Sequence, residues 1–247
     1  KKKAFGAKTA IAAAITFAAA IASSQALAAD TSATNSATAN NSRIVLANSS
    51  ASSLAVTGNV SLTGTNSSNN HINFIGEQGD VTIGGTLTVD VSASGTNANT
   101  YVANNALSTV TIGGNASFIN TGAGTTKRMY LGHYGDVTFN GDLDIENTSS
   151  ATNSQIYCNH QPGSVNAYNG NITLENSNAA SDGVFFGTSN AGGSGTLAAT
   201  RTVTASGGGI TAGGLFTPAD VSSNTTVQIK YEITILIYYL FLDLLLR

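Results

Sequence analysis

The chain repeats one pattern of apolar and polar positions five times. Each copy holds two short segments in which apolar residues alternate with Thr, Ser, Asn or Asp, and a Gly or Asn-Gly corner separates the two. Alternation with a period of two predicts half-buried β-strands. The copies begin at positions 54, 81, 110, 137 and 165, so successive starts differ by 27, 29, 27 and 28 residues, and the last copy needs one inserted residue.

The alternation assigns inward positions to both strands of each copy. The inward pairs of the first strand are Leu54/Val56, Val81/Ile83, Val110/Ile112, Val137/Phe139 and Val165/Ala167. Those of the second are Val60/Leu62, Leu87/Val89, Ala116/Phe118, Leu143/Ile145 and Ile172/Leu174. A third strand, also apolar at alternate positions, is predicted around Ile72/Phe74, Tyr101/Ala103, Met129/Leu131, Ile156/Cys158 and Val184/Phe186.

Three strands per repeat predict an all-β fold, a right-handed three-sided parallel β-helix with coils of about 28 residues over positions 51–229. Such a unit cannot bury its apolar edge alone, whereas stacked coils share one continuous core. An antiparallel β-sandwich is the competing architecture because it also has short strands and regular turns. It does not explain inward positions that recur at a near-constant period.

The two ends depart from the repeat. Residues 1–28 combine early lysines, an Ala-rich apolar stretch and Ala26-Leu27-Ala28, which is the pattern of a Sec signal peptide. The alternative, an N-terminal membrane helix, would need about 20 apolar residues. We expect residues 29–50 to form a polar flexible leader or cap. Residues 230–247 are an apolar tail that we expect to be a truncation or frameshift product, with an anchor or a capping strand as alternatives.

Composition limits the function classes. Only 9% of the residues are charged and the net charge is −3, so the sequence offers no basic face for phosphates and nucleic-acid binding is not expected. Cys158 is the single cysteine and cannot form an internal disulfide. The fold is therefore expected to hold by packing alone.

Few residues suggest catalysis. His133 and His160 follow equivalent strand positions, so they are expected to stack about 5 Å apart in adjacent coils. A metal would need further ligands, and Cys158 is expected to point inward, so we predict no metal and no cofactor. A polysaccharide lyase or hydrolase on the same fold is the enzymatic alternative, with Lys127 and Arg128 in a loop near Asp144. The favoured prediction is a protein that is not an enzyme, with no catalytic residues.

A line of outward residues on the third strand is the main candidate for binding. Val102, Tyr130, Tyr157 and Phe185 are expected to align over four coils, and Tyr130, Tyr157 and Phe185 would form a ligand-binding stripe. Exposed aromatic side chains in line can bind sugar rings or a partner protein. The alternatives are that a loop covers them or that they only satisfy cross-strand pairing.

The signal segment, the polar leader and repeats such as Val-Thr-Ile-Gly-Gly-Thr-Leu-Thr-Val at 81–89 together resemble the passenger region of Gram-negative autotransporters. The resemblance covers roughly residues 1–229. It implies export by the Sec machinery, display at the cell surface or outer membrane, and adhesion to a glycan or to a host or bacterial surface protein. The family also implies a C-terminal β-barrel translocator, and no run of strands of that kind follows the repeats. A non-functional truncated fragment and a periplasmic location are therefore alternatives.

Overall fold

The structure is a computed structural model that describes residues 25–27, 30–35, 42–51, 53–65, 71–93, 95–176, 184–186, 194–197, 202–207, 210–212 and 226–229. Every regular element in these ranges is a β-strand. The strands are β1 Gln25–Leu27, β2 Thr31–Asn35, β3 Ser42–Leu46, β4 Ser53–Val56, β5 Val60–Gly64, β6 His71–Ile75, β7 Asp80–Ile83, β8 Leu87–Asp90, β9 Asn97–Val102, β10 Thr109–Ile112, β11 Ala116–Asn120, β12 Thr126–Leu131, β13 Asp136–Phe139, β14 Leu143–Asn147, β15 Asn153–Cys158, β16 Val165–Tyr168, β17 Ile172–Asn176, β18 Val184–Phe186, β19 Ser194–Leu197, β20 Thr202–Gly207, β21 Ile210–Ala212 and β22 Thr226–Ile229.

The strands form three parallel sheets, and consecutive strands of the chain lie in different sheets. The first sheet has the order β1-β4-β7-β10-β13-β16-β19, and the third has β3-β6-β9-β12-β15-β18-β21. The second sheet runs β2-β5-β8-β11-β14-β17-β20-β22. This topology is a three-sided parallel β-helix, so the fold predicted from the repeat is confirmed and the β-sandwich is wrong.

The core consists of columns of apolar side chains that run from coil to coil. Ile83, Ile112 and Phe139 are successive partners in the first sheet, and each is at most 1% exposed. The predicted second-strand pairs are partnered and buried in the same way, from Val60/Leu62 to Ile172/Leu174. Each coil adds a strand about 4.8 Å above the last, so a side chain meets its counterparts directly above and below.

The predicted inward positions of two third-sheet strands are wrong by one residue. In β6 the inward, fully buried residues are Asn73 and Ile75 rather than Ile72/Phe74. In β9 they are Thr100 and Val102 rather than Tyr101/Ala103. Both strands carry apolar residues on the two faces, since Phe74 is only 8% exposed although it points outward. Apolarity alone does not identify the inward face of such a strand.

The predicted phase of β16 is also wrong. Asn166 and Tyr168 face the interior, whereas Val165 is 42% exposed. Asn166 is the partner of Val137, and its Nδ2 donates to the carbonyl oxygen of Leu131 at 2.8 Å and to the Tyr168 hydroxyl at 3.0 Å. The strand therefore begins its inward pattern one residue later, and the insertion assumed for this copy is not needed.

The corners between the third and first sheets explain why the repeat alternates between 27 and 29 residues. Short corners of four residues occupy 76–79 and 132–135, and longer corners of six residues occupy 103–108 and 159–164. The difference of two residues matches the difference between the two repeat lengths. In both longer corners a serine closes the turn: Ser108 Oγ donates to Asn105 O and Ser164 Oγ donates to Gln161 O, each at 2.9 Å.

A left-handed residue begins each of these four corners and also the equivalent corner after β3. The residues are Ala47, Gly76, Ala103, Gly132 and Asn159, with φ between 52° and 78°. Most non-glycine residues are strained there, by roughly 1–2 kcal/mol. The left-handed conformation recurs at this point in all five of these coils, whether the residue is Gly, Ala or Asn.

One edge of the interior is polar. Asn120 Nδ2 donates to Asn147 Oδ1 at 3.0 Å, and Asn147 Nδ2 donates to Asn176 Oδ1 at 2.8 Å. Ser154 joins this ladder by donating its hydroxyl to Asn147 Oδ1 at 2.6 Å. Lys127 is fully buried beside it and donates to the carbonyl oxygens of Val91 and Ser92 at 3.0 and 3.1 Å. These hydrogen bonds between coils offset the cost of burying polar groups.

Strand pairing begins before residue 51. Within the predicted leader or cap 29–50, β2 pairs with β5 and β3 pairs with β6, so these segments are part of the β-helix. β1 overlaps the predicted cleavage site, and that cleavage remains a prediction. The rest of the signal segment and the tail 230–247 lie outside the described residues. Across the described ranges no helix has the length and apolarity needed to cross a membrane.

Two glycines with positive φ provide a matched test of the corner geometry. Gly132 has φ 78° and Gly163 has φ 89°, so alanine is strained at both. A Cβ at Gly132 would also collide with the hydrogen-bonded amide of Asn166, whereas nothing lies within 4 Å of one at Gly163. We expect Gly163→Ala to lower the free energy of unfolding by about 1 kcal/mol and Gly132→Ala by a further 1–3 kcal/mol or so.

Urea unfolding followed by circular dichroism measures both variants against the unaltered protein. Equal losses for the two variants would show that Asn166 does not hold its position against the Gly132 corner.

Candidate functional site

The outer face of the third sheet carries a column of aromatic rings. Phe74, Tyr101, Tyr130 and Tyr157 are successive partners in β6, β9, β12 and β15. Their ring centroids are 5.1, 4.9 and 5.3 Å apart, and neighbouring planes differ by at most 15°. The rings stack because in-register parallel pairing places each one directly above the last.

Two of the residues in the predicted stripe, Tyr130 and Tyr157, belong to this aromatic column. Phe185 is the backbone partner of Tyr157, and its side chain lies outside the described residues. The prediction for Val102 is wrong, since Val102 is fully buried inside the β-helix and Tyr101 occupies its expected place. The misplaced register of β9 caused this error. Whether the column binds a ligand stays a prediction.

His133 and His160 lie beside the column, as the spacing predicts, with ring centroids 5.2 Å apart. Tyr130 contacts both imidazoles at 4.8 Å and is only 9% exposed. Tyr101, Tyr130, Tyr157, His133 and His160 are called the strip below. Within the strip the ring faces are largely occupied by neighbouring rings, so a ligand would meet mainly ring edges, hydroxyl groups and imidazole nitrogens.

The hydrogen bonds of the two histidines orient their rings. Nδ1 of His133 lies 2.8 Å from Oδ1 of Asn104, and an amide oxygen only accepts, so Nδ1 carries the proton and Nε2 is left as an acceptor. Nδ1 of His160 lies 2.9 Å from Nε2 of Gln161, which donates to it, so His160 presents an Nε2–H donor. The strip thus offers one imidazole acceptor and one imidazole donor.

Both imidazoles are held neutral at neutral pH. Burial, with a contribution from His160, lowers the pKa of His133 to about 4. Burial, with a contribution from the positive charge of Arg128, lowers the pKa of His160. The two imidazoles of the strip are therefore uncharged, and they lie among partly buried aromatic rings.

Three exposed apolar side chains, called the ridge below, lie at the corners that follow the third sheet. Among the described residues the exposed large apolar side chains are Leu107, Tyr134 and Val165, at 83%, 44% and 42% exposure. All three lie on or beside the corners between the third and first sheets in consecutive coils. Tyr134 contacts His133 at 4.3 Å, which links the ridge to the strip. The sequence pattern missed this ridge because it treated corners only as polar connections.

Two arginines lie on the outward face of the third sheet in different surroundings. Arg43 forms an ion pair with Glu77 at 3.6 Å and lies 5.3 Å from the centre of the Phe74 ring. Arg128 precedes Tyr130 by two residues on β12 and so shares its face. Its Nε is buried without a hydrogen-bond partner.

The structure does not assemble the residues suggested for a lyase. Lys127 and Arg128 lie in β12 rather than in a loop, and the Lys127 side chain points into the interior. Burial lowers the pKa of Lys127 to about 8, with Asp90 acting in the opposite direction. Asp144 is exposed on the second sheet. The three side chains therefore do not share one groove.

The geometry around Cys158 matches its predicted inward orientation. The thiol is fully buried, and burial raises its pKa. Across the ranges that the structure describes, no group of three or more His, Cys, Asp or Glu side chains could hold a metal ion.

The fold and this surface define a parallel β-helix with an aromatic and histidine strip on one side. Comparisons of the chain with protein-family models, curated proteins and solved structures gave no match. Its function is therefore argued from the arrangement of the side chains.

The buried histidines make stability depend on pH. Burial lowers the pKa of His71 from 6.5 to about 4, with Asn73 acting in the opposite direction and Lys127 reinforcing the shift. Between these pH values the unfolded chain binds more protons than the folded chain. The contribution of neutral His71 to the free energy of unfolding is therefore fully present above about pH 6.5 and is lost as the pH falls towards 4. For His71, whose side chain is fully buried, the loss is about 2 kcal/mol between about pH 7 and pH 5.

Urea midpoints measured at these pH values test this, with His71→Gln expected to flatten the dependence and Glu175→Gln, on the exposed second sheet, expected to leave it unchanged. A stability that does not fall between neutral pH and pH 5 would contradict the assignment.

Proposed function

We propose that the protein is an exported, surface-displayed β-helix that binds a carbohydrate chain through the strip and its apolar ridge and has no catalytic activity. One observation carries this proposal: the column of stacked rings and the two imidazoles on the third sheet are joined, through the contact of Tyr134 with His133, to exposed apolar side chains at the corners that follow this sheet. Exposed apolar patches of this kind mark interaction sites on soluble proteins.

The spacing of the groups favours a carbohydrate over a compact ligand. The rings repeat every 4.9–5.3 Å along the β-helix axis, so the surface presents the same groups at regular intervals. A linear polymer with a short repeat can contact successive coils in the same way. Tyrosine hydroxyls and imidazole nitrogens exchange hydrogen bonds with sugar hydroxyls, and the ridge contacts the apolar faces of sugar rings.

Export and surface display are supported by the sequence. The segment 1–28 has the pattern of a Sec signal peptide, and only 9% of the chain is charged. The resemblance to autotransporter passengers points to adhesion at the outer membrane or cell surface. A long, rigid β-helix suits this role because it holds binding groups at a fixed spacing without a moving part.

Removing the ridge should weaken binding. We expect Leu107→Ser combined with Tyr134→Ser to reduce binding to a preferred glycan by at least about tenfold, because central exposed aromatic and apolar groups dominate binding energies. The matched control is Asp144→Ala combined with Thr173→Ala, which alters exposed partners on the second sheet and should change binding by less than about twofold. Binding is measured on a glycan array and then by titration, with circular dichroism to check folding.

The proposal fails if the full chain binds no glycan on the array, or if the ridge variant binds as well as the control variant. Release of reducing ends from the bound glycan would overturn the non-catalytic part. Binding that is confined to protein ligands would replace a carbohydrate with a protein partner.

A further inference from the structure

Arg128 is a positive charge without a counter-charge on the strip side of the β-helix. Its side chain is partly buried on the outward face of β12, and its Nε has no hydrogen-bond partner. In the part of the chain that the structure describes, no carboxylate pairs with it. A guanidinium that has lost part of its hydration without gaining a partner binds an incoming anion with little further desolvation.

The field of Arg128 reaches the strip in both directions along the axis. It lowers the pKa of His160 in the coil above and opposes the rise in the pKa of Tyr101 in the coil below, where burial is the main cause. Arg128 therefore acts over the middle of the strip. Its backbone partners are Asn99 and Gln155, whose side chains are neutral.

The negative charges of the described residues lie elsewhere. Asp90, Asp144, Glu146 and Glu175 are on the second sheet. Asp80 and Asp136 begin first-sheet strands, where each accepts a 2.8 Å hydrogen bond from a backbone N–H of the next coil. Asp30 and Asp142 lie just before second-sheet strands and accept backbone N–H hydrogen bonds from the next coil at 2.9 and 2.8 Å. Glu77 is paired with Arg43. The third sheet is thus the side on which a positive charge stands without compensation.

We propose that the carbohydrate bound by the strip is acidic, and that Arg128 binds a carboxylate of its uronic acid or related acidic sugars. This inference rests on the proposed function and adds the chemical class of the ligand. The planar guanidinium can donate two parallel N–H···O hydrogen bonds to one carboxylate, a geometry that lysine does not offer. The neutral imidazoles and tyrosine hydroxyls on either side then bind the sugar hydroxyls.

Three polymers separate charge from carbohydrate binding: polygalacturonate, its fully methyl-esterified form, and dextran, which carries no acid. We expect the full chain to bind polygalacturonate at least tenfold more tightly than the methyl ester, with the difference shrinking as salt is added. Arg128→Gln should reduce binding to polygalacturonate at least tenfold and leave binding to the ester within about twofold. Arg128→Lys should restore only part of the affinity.

Arg43→Gln is the matched control, because it removes an arginine from the same sheet that is already paired with Glu77. It should change binding to polygalacturonate by less than twofold. Circular dichroism and the urea midpoint establish that each variant is folded. If Arg128→Gln does not fold, Arg128→Lys still tests the role of the guanidinium.

Equal binding of polygalacturonate and its ester, or full binding by both Arg128 variants, overturns the acidic ligand and leaves the proposed function standing. The same holds if only dextran or other neutral glycans bind. If no glycan of either kind binds the full chain, the proposed function and this inference fail together.

Discussion

In-register pairing between coils is the constraint on which the rest of the structure depends. A parallel strand hydrogen-bonds to the strands above and below at about 4.8 Å, so every position becomes part of a column through the molecule. A side chain must then pack against an identical or a complementary side chain at that distance in the next coil. Ile83, Ile112 and Phe139 satisfy this inside the core, and the stacked tyrosines satisfy it outside.

The same constraint makes buried polar groups acceptable. An isolated asparagine in an apolar core would cost several kcal/mol or so, but an asparagine below another asparagine can donate its amide N–H to the oxygen of that neighbour. The ladder from Asn120 through Asn147 to Asn176 is built in this way. Lys127 fits because the carbonyl oxygens of Val91 and Ser92 are within reach of its Nζ. Hydrogen bonds therefore offset part of the cost of the polar interior, while Oδ1 of Asn120 stays without a partner.

How well the inward residues of a strand can be predicted depends on the polarity of its two faces. First-sheet and second-sheet strands such as β10 and β14 alternate cleanly, because one face meets the core and the other meets water, and the sequence predicts their inward residues. In the third sheet the outward face is also apolar, since rings such as Phe74 and Tyr101 cover one another. The alternation signal is then lost, and Asn73 and Thr100 turn inward against expectation. Asn166 in the first-sheet strand β16 escaped prediction for a different reason, because the sequence does not show that Tyr168 would be its hydrogen-bond partner.

The candidate site was only partly accessible from sequence. Tyr130, Tyr157 and the spacing of His133 and His160 follow from the repeat length, because residues one coil apart must stack. The ridge at Leu107, Tyr134 and Val165 does not follow, since it depends on two corner types of different length. The sequence singled out Arg128 only for the lyase alternative, because its lack of a neighbouring carboxylate becomes visible only in the structure.

The aromatic column is a structural element of the β-helix in its own right. Each inner ring has a neighbour on both faces, and stacked pairs add about 0.5–1.5 kcal/mol beyond the area that they bury. That contribution would exist with no ligand, so the column alone does not identify a function. The features that stacking does not explain are the exposed ridge, which burial would have stabilised, and Arg128, which an internal carboxylate would have stabilised. Arg128 lies on the same face as the column, and Tyr134 of the ridge contacts His133 beside it. The proposed ligand-binding surface therefore rests on the exposed ridge and on Arg128, and not on the stacked rings by themselves.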